Sequence, residues 1–324
     1  MLDLSEFLLA LYKHAREMPM DLFPDAALEK LKIFVRFDSA RWGSGILTGK
    51  GVVRHCTHRH CESAEATAAY DEVKSQDLAS LEIWRSPPGF HIHRIHSRTH
   101  FGAKEHSGIR EYALKFGHEN TILAAHRRFP DSLMNYVAIY RAAEKERFQE
   151  RDEGFLRVVM PHLLEAQALN RVLNFEKRFP NASAINYRLC IADSHGVLIL
   201  CDPAAMALME AEWPGSGMLR LPALLLDALT AKGRFCGQKV VVATDRIGEL
   251  LFVRIRPVCA IDSLSPRELA VAREIARGCN HKRIGKALNI SPFTARNHIQ
   301  AIHNKLNVKN SIELVSALSR IEYD

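Results

Sequence analysis

The residues best suited to recognition chemistry lie between Phe293 and Asn304. On a helix of 3.6 residues per turn, Phe293, Arg296, Asn297, Gln300, His303 and Asn304 share one arc. A guanidinium and several carboxamides on one arc can pair with the donor and acceptor edges of bases in a major groove, or can simply face water. The opposite arc argues that the helix exists: Ala295, Ile299, Ile302 and Leu306 recur at steps of four, three and four as an apolar stripe. Ser291 is placed to cap that helix. Pro292 suits its first position, where the missing N–H would have no helical partner anyway.

The flanking segments carry the punctuation of further helices. Asn280 can cap HKRIGKAL, whose Ile284, Ala287 and Leu288 point inward, and Asn289-Ile290-Ser291 leaves room for a tight turn, so the pair reads as a helix-turn-helix. Ser265-Pro266-Arg267-Glu268 has the form of a capping box ahead of Leu269, Ala272, Ile275 and Ala276, with Gly278 as the stop. Asn310 and Glu313 repeat the cap-plus-acid signal before Leu314, Val315, Leu318 and Ile321. The predicted unit is all-α with four helices, and it is one-signed. No acid lies between Glu274 and Glu313, whereas Arg277, Lys282, Arg283, Lys286, Arg296, Lys305 and Lys309 do. From Asp262 onward ten Lys and Arg face six Asp and Glu, which accounts for more than half of the chain's net charge of +7. A compact basic unit with such a helix suits phosphate neutralisation and groove reading, so double-stranded DNA is the expected partner. The alternative is a helical tail whose basic face is merely solvated.

Other candidate chemistry is weaker. His55, Cys56, His58, His60 and Cys61 form one cluster; His91, His93, His96 and His100 form another. On an extended strand Cys56, His58 and His60 fall on one face and offer three metal donors. With 16 histidines in the chain and no CxxC pair, the expectation is that no stoichiometric metal is held and that no cofactor is needed. A metal- or redox-responsive sensor built on this cluster is the alternative reading of the chain. GSGILTGKG at residues 43–51 fails as a phosphate loop, because Ser44 and Gly51 stand where Gly and Ser or Thr are required. Neither an HExxH pair nor a serine-nucleophile elbow appears, so an enzyme is not expected. Trp42 and Trp84 are candidates to line a pocket for a small-molecule signal, although large aromatics more often fill a core.

A chain of 324 residues, 47% hydrophobic and 25% charged, is long enough for two or three soluble domains. Seven irregularly spaced cysteines argue for reduced thiols. MLDLSEFLLALYKH carries Asp3 and Glu6 and reads as a helix, not a signal peptide; no stretch reaches membrane-span length, and a cytoplasmic location is expected. The predicted fold class is α+β multidomain. Residues 1–148 alternate helices with strands, including hairpins across Thr48-Gly49-Lys50-Gly51 and Phe129-Pro130-Asp131-Ser132. Residues 149–182 form a connector helix with Phe155, Val159, Leu163, Ala166, Leu169 and Leu173 in one stripe and a kink or restart at Pro161. That stripe suits a dimer contact or packing on its own domain equally. Residues 183–260 form a small α+β domain with strands at 187–192, 197–201, 235–244 and 250–258, and residues 261–324 are the helical unit.

LSPREL, RGCNHKRIGKALNIS, TARNHIQAIHNKL and NVKNSIEL together resemble the LuxR-type (GerE-like) helix-turn-helix domain of bacterial transcription regulators. Gly285, Ala295, Arg283, Asn307 and Ser311 depart from the usual family residues, and Gly285 and Ala295 are expected to trim helix packing. The resemblance implies that Arg296, Asn297 and Gln300 reach base edges and that Lys282, Thr294, His298 and Lys305 lie at or near phosphates. A homodimer is expected, with Leu314, Val315 and Leu318 in contact. The layout of residues 1–148 resembles a GAF-type domain, and residues 187–211 resemble the opening of a PAS domain, implying a sensor region ahead of the DNA-binding unit.

Overall fold

The structure is a computed structural model that describes residues 4–48, 51–127, 133–178, 187–215 and 219–318. Gly49 and Lys50 of the first expected turn, residues 129–132 of the second, and Ile321 lie outside the described residues. The chain forms two compact units.

The first is built from α1 (Leu4–Glu17), α2 (Phe23–Lys32), β1 (Ser39–Thr48), β2 (Gly51–His60), α3 (Ala64–Val73), α4 (Leu78–Arg85), β3 (Gly89–His96), α5 (Ser97–His100), α6 (Ser107–Lys115), β4 (Asn120–Arg127), β5 (Met134–Arg141) and α7 (Glu150–Arg178). Its sheet runs β2-β1-β5-β4-β3 with antiparallel neighbours. Strand alternation sends Ile122, Ala124, Val137 and Ile139 to one face, where they meet Phe7, Leu11, Leu28 and Leu163 from the helices. Leu123, Ala125, Tyr136, Ala138 and Tyr140 face the other side and pack with Ile83, Trp84 and Tyr112. Both faces are covered, which explains the unbroken apolar runs at 122–125 in β4 and 136–140 in β5.

α7 runs through Pro161 as one helix, so the chain does not restart there. Its stripe of Leu156, Val159, Leu163 and Ala166 joins the core of the same unit. Asn170 Nδ2 donates to the carbonyls of Ala15 (3.0 Å) and Met18 (2.9 Å), so the helix is tied to the end of α1. Of the two uses open to this stripe, packing on its own unit is the one observed.

The second sheet comprises β6 (Arg188–Asp193), β7 (Leu198–Cys201), β8 (Arg234–Cys236), β9 (Val240–Ile247) and β10 (Leu250–Pro257) in the order β7-β6-β10-β9-β8, with α8 (Pro203–Glu212) and α9 (Ala223–Lys232). The single strand expected at 235–244 is therefore two. Gly237 N–H donates to Val240 O (2.8 Å), and the Glu212 carboxylate accepts from Gln238 N (2.9 Å) and Lys239 N (2.6 Å), which folds the chain back at 237–239. Cys190 and Cys201 are joined as a disulfide across 11 residues, correcting the expectation of reduced thiols throughout. Neighbouring strands bring their Cα atoms to 4.1 Å.

The last helices are α10 (Pro266–Ala276), α11 (His281–Ala287), α12 (Pro292–Leu306) and α13 (Ser311–Leu318). Every expected cap is made. Ser265 and Glu268 form a reciprocal capping box. Asn280 Oδ1 accepts from Lys282 N and Arg283 N (both 3.1 Å), Ser291 Oγ accepts from Thr294 N (2.9 Å), and Asn310 Oδ1 accepts from Glu313 N (2.9 Å). Asn307 closes α12 in the left-handed region at φ 51°, which Asn tolerates.

Gly285 does not loosen the helix contact, as its difference from the family residue suggests. A Cβ there would lie 2.8 Å from Ile290 O and 3.3 Å from Pro292 N, so the backbone of the turn sits directly against α11. Gly285→Val is expected to destabilise the helical region by about 2 kcal/mol, since its neighbours are backbone atoms that cannot rotate aside. Calorimetric unfolding of the full chain reads this as a lowered transition; an unchanged Tm would contradict the contact.

Candidate nucleic-acid interface

α12 presents two faces. Ala295 and Ile302 are fully buried, with Ile299 and Leu306 packed beside them against Val271, Ala272, Ile275 and Ile284. Arg296, Asn297 and Gln300 are exposed on the other side, and Phe293 at the head of the helix is 72% exposed. Gln300 Nε2 donates to Asn304 Oδ1 (3.1 Å), one turn on. Thr294 and Ser291 share a hydroxyl–hydroxyl hydrogen bond of 2.8 Å, which fixes Thr294 at the N-terminus of α12, and His298 is half-buried. Lys282, Arg283 and Lys286 are exposed on α11. The short turn closes with Ile290 N–H donating to Gly285 O (2.9 Å), so the cations of α11 and the polar arc of α12 belong to one rigid corner. Chemically this corner can neutralise phosphates and offer a planar fork and two amides to base edges.

A separate cavity of about 90 Å³ opens in the first unit. Its walls are largely aromatic: Tyr70, Trp84, Phe101, Tyr112, Tyr136 and Tyr140. Arg41 reaches it from β1 with a side chain only 4% exposed. Arg41 Nε donates to Glu62 Oε2 (2.6 Å), and its Nη2 donates to Glu62 Oε1 (2.5 Å) and to the Tyr112 hydroxyl (2.6 Å). Burial alone would raise the Glu62 carboxyl, but hydrogen bonds from His118 and Arg41 hold it below its ordinary range. His118, stacked on Tyr140 at 3.7 Å, has its pKa pushed down by burial. Asp77 accepts from the hydroxyls of Tyr70 and Ser80 (both 2.7 Å), and Arg54 pairs with Asp71 (2.7 Å). Arg41 and Arg54 each have a carboxylate partner, whereas Asp77 is met by neutral hydroxyls, so the cavity offers apolar walls, hydroxyls and one carboxylate.

Residues 262–318 match the family described as bacterial regulatory proteins, luxR family. The C-terminal helices are a luxR-family domain. Over 86 residues the chain is 36% identical to a nitrate/nitrite response regulator protein homolog of Haemophilus influenzae, covering 26% of this chain and 41% of that protein. Over 96 residues it is 33% identical to the nitrate/nitrite response regulator protein NarP of Escherichia coli, covering 28% and 42%. The chain thus spans about two fifths of each relative's length. Among solved structures it is similar to Escherichia coli SdiA, at 12% identity and a TM-score of 0.40 over 98% of both chains.

Within the luxR-family domain several expected residues stand elsewhere than anticipated. Lys305 Nζ donates to Glu268 Oε2 (2.7 Å), which ties α12 to the capping box of α10 while the lysine side chain stays 42% exposed. Leu314 and Leu318 are 0% and 1% exposed and belong to the domain's own core; Val315 is on the surface, with Ile312 beside it. An i, i+4 apolar pair looks the same in sequence whether it faces its own core or a partner. Among the cavity candidates, Trp84 is a wall residue, whereas Trp42 packs on Phe23 in the opposite core and does not line the cavity. Sequence reading missed Arg41, Glu62 and His118. The available signal was a charged residue, Arg41, next to Trp42 within a strand that is otherwise uncharged.

Glu268 gives a pH prediction. Lys305 first, and then the Ser265 N–H, lower its pKa to about 2. A depressed carboxyl contributes stability that is complete above the unfolded value, about 4.3 for Glu, and is lost as pH falls toward the folded value. Carbon-13 titration of the Glu268 carboxyl should give a midpoint near 2, and Lys305→Met should move it upward. A midpoint at or above the ordinary glutamate value in the parent chain would show that the pair is absent in solution.

Proposed function

We propose that this chain is a sequence-specific DNA-binding transcription regulator that works in the cytoplasm as a homodimer. The observation that carries the reading is the acid-free corner formed by α11 and α12, with Arg296, Asn297 and Gln300 exposed on one arc beside Lys282, Arg283 and Lys286. In this reading α12 enters the major groove, where Arg296, Asn297 and Gln300 meet base edges and Phe293 meets a thymine methyl. Lys282, Thr294 and His298 lie at phosphates. Lys305 acts indirectly, by holding α12 on α10. Two copies reading paired half-sites roughly double the phosphate contacts available to one unit, with Ile312 and Val315 as the exposed apolar residues of α13 that would meet. The cavity of the first unit takes the signal. Its aromatic and aliphatic walls favour a small molecule with an apolar body, and the pairing of Arg41 and Arg54 with carboxylates disfavours an anionic one.

No helix among the described residues is long and apolar enough to cross a membrane. The experiment is a salt titration of binding to duplex DNA by the full chain and by Lys282→Ala. Each phosphate neutralised contributes about 0.9 to the slope of log affinity against log salt. Lys282→Ala should flatten that slope by about one unit on any sequence. A slope near zero in the parent chain would rule out a phosphate-contacting role for this corner.

A further inference from the structure

We propose that Glu29, His60 and Cys61 bind a borderline-soft divalent cation of the Zn²⁺ class where α2 meets the end of β2. His60 is 5% exposed, and its Nδ1 lies 2.7 Å from Asp25 Oδ1. An ionised carboxylate only accepts, so Nδ1 carries the proton and Nε2 presents its lone pair. That Nε2 is buried without a hydrogen-bond partner, yet it stands 3.0 Å from Glu29 Oε1. Two acceptors facing each other at this distance repel, and a cation between them turns the repulsion into ligation.

Cys61 supplies the third donor. One ligand atom each from Glu29, His60 and Cys61 lie within 4.8 Å of one another, and the thiol is free. Consecutive residues of an extended strand point to opposite faces, so His60 and Cys61 could not converge on a regular strand. Cys61 instead takes the left-handed region at φ 52°, and the turn brings its sulfur to the same side as the imidazole. Donors around a tetrahedral Zn²⁺ stand roughly 3.3 to 3.8 Å apart, which the exposed Glu29 side chain can reach by changing rotamer. Asp25 is the outer partner that orients a metal-bound imidazole, and it also accepts from His58 Nε2 (2.9 Å), which keeps His58 out of the ligand set. On binding, the Cys61 thiol gives its proton to solvent, and the fourth position is left for water.

This set differs from the one suggested by strand alternation. The side chain of Cys56 lies outside the described residues, and His58 is held by Asp25. The other group of suitable side chains, His96, Glu119 and Glu144, is already neutralised: Arg98 reaches both carboxylates at 3.2 Å, and His96 Nδ1 is 3.1 Å from Asn120 Oδ1. No comparable cation stands between Glu29 and His60 among the contacts of the described residues. A doubly protonated His60 bridging Asp25 and Glu29 is the competing occupant of the gap, and it has no use for sulfur.

The test titrates the full chain, purified without chelator and kept reduced by a phosphine, with Co²⁺ as the probe and Zn²⁺ as competitor. One equivalent of Co²⁺ should bind and give a thiolate-to-cobalt charge-transfer band in the near ultraviolet that Zn²⁺ removes. Cys61→Ala should abolish the band and weaken binding at least tenfold. His60→Gln should do the same, and Asp25→Asn should weaken binding by about 10- to 100-fold. Cys279→Ala should change nothing. Cys61 is exposed, so Cys61→Ala is expected to keep the parent's unfolding temperature in the absence of metal, which separates loss of ligation from loss of fold. Absence of the band in the parent chain, or its survival in Cys61→Ala, would overturn the site. The site does not depend on the DNA-binding reading, and its failure would leave that reading untouched.

Discussion

Glu62→Ala should destabilise the first unit by roughly 3 to 5 kcal/mol, the range for stranding one member of a buried ion pair. The mechanism is specific. Arg41 and Glu62 are 4% and 3% exposed, and removing the carboxylate leaves a guanidinium that burial cannot neutralise, with the Tyr112 hydroxyl and the rings of Tyr70 and Tyr140 as its side-chain partners among the described residues. The same loss frees His118, whose Nε2 lies 3.0 Å from Glu62 Oε1. Replacing both partners by apolar residues, as in Arg41→Met with Glu62→Leu, should recover most of the stability, because the cost lies in the unpaired charge and not in the missing bridge. Denaturant unfolding followed by tryptophan fluorescence in a Trp213→Phe background reads the first unit, since Trp42 and Trp84 both lie in its cores. Equal midpoints for the parent chain and Glu62→Ala would mean that water reaches Arg41 in solution.

The parts of the fold that were legible in sequence are those fixed by local contacts. Ser265 with Glu268, Asn280, Ser291 with Thr294, and Asn310 with Glu313 all act over three residues or fewer, and each cap forms as its spacing implies. The cavity is different. Arg41 meets Glu62 across 21 residues and Tyr112 across 71, and no local rule couples positions that far apart. Strand alternation does place Arg41 and Trp42 on opposite faces, but which face holds the cavity depends on where α4 and α6 pack. Leu314 and Leu318 illustrate the same limit from the other side, since periodicity identifies a buried stripe without saying what buries it. Pro161 does not force a restart of α7, a 29-residue helix whose stripe is anchored in the core and whose Asn170 is tied to α1.

Arg296→Ala should weaken binding to a preferred site by about 1 to 3 kcal/mol, or roughly 5- to 150-fold, and weaken binding to unrelated duplexes far less. The guanidinium stands about one turn into α12 on the exposed arc, where its planar fork can span O6 and N7 of a guanine. Loss of a mere phosphate contact would lower both affinities alike. Arg296→Lys separates the two roles further: it keeps the charge but not the fork, so it should behave like Arg296→Ala on the preferred site and like the parent on unrelated DNA.

The most direct measurement is selection of binding sites by the full chain from a pool of randomised duplexes, sequenced after several rounds, with Arg296→Ala run in parallel. The proposed function predicts that the parent enriches a two-fold related motif containing guanine at a fixed position and that Arg296→Ala loses preference at that position while still retaining DNA. A parent pool that stays unenriched, or an identical motif from Arg296→Ala, would contradict the assignment of α12 as the helix that reads sequence.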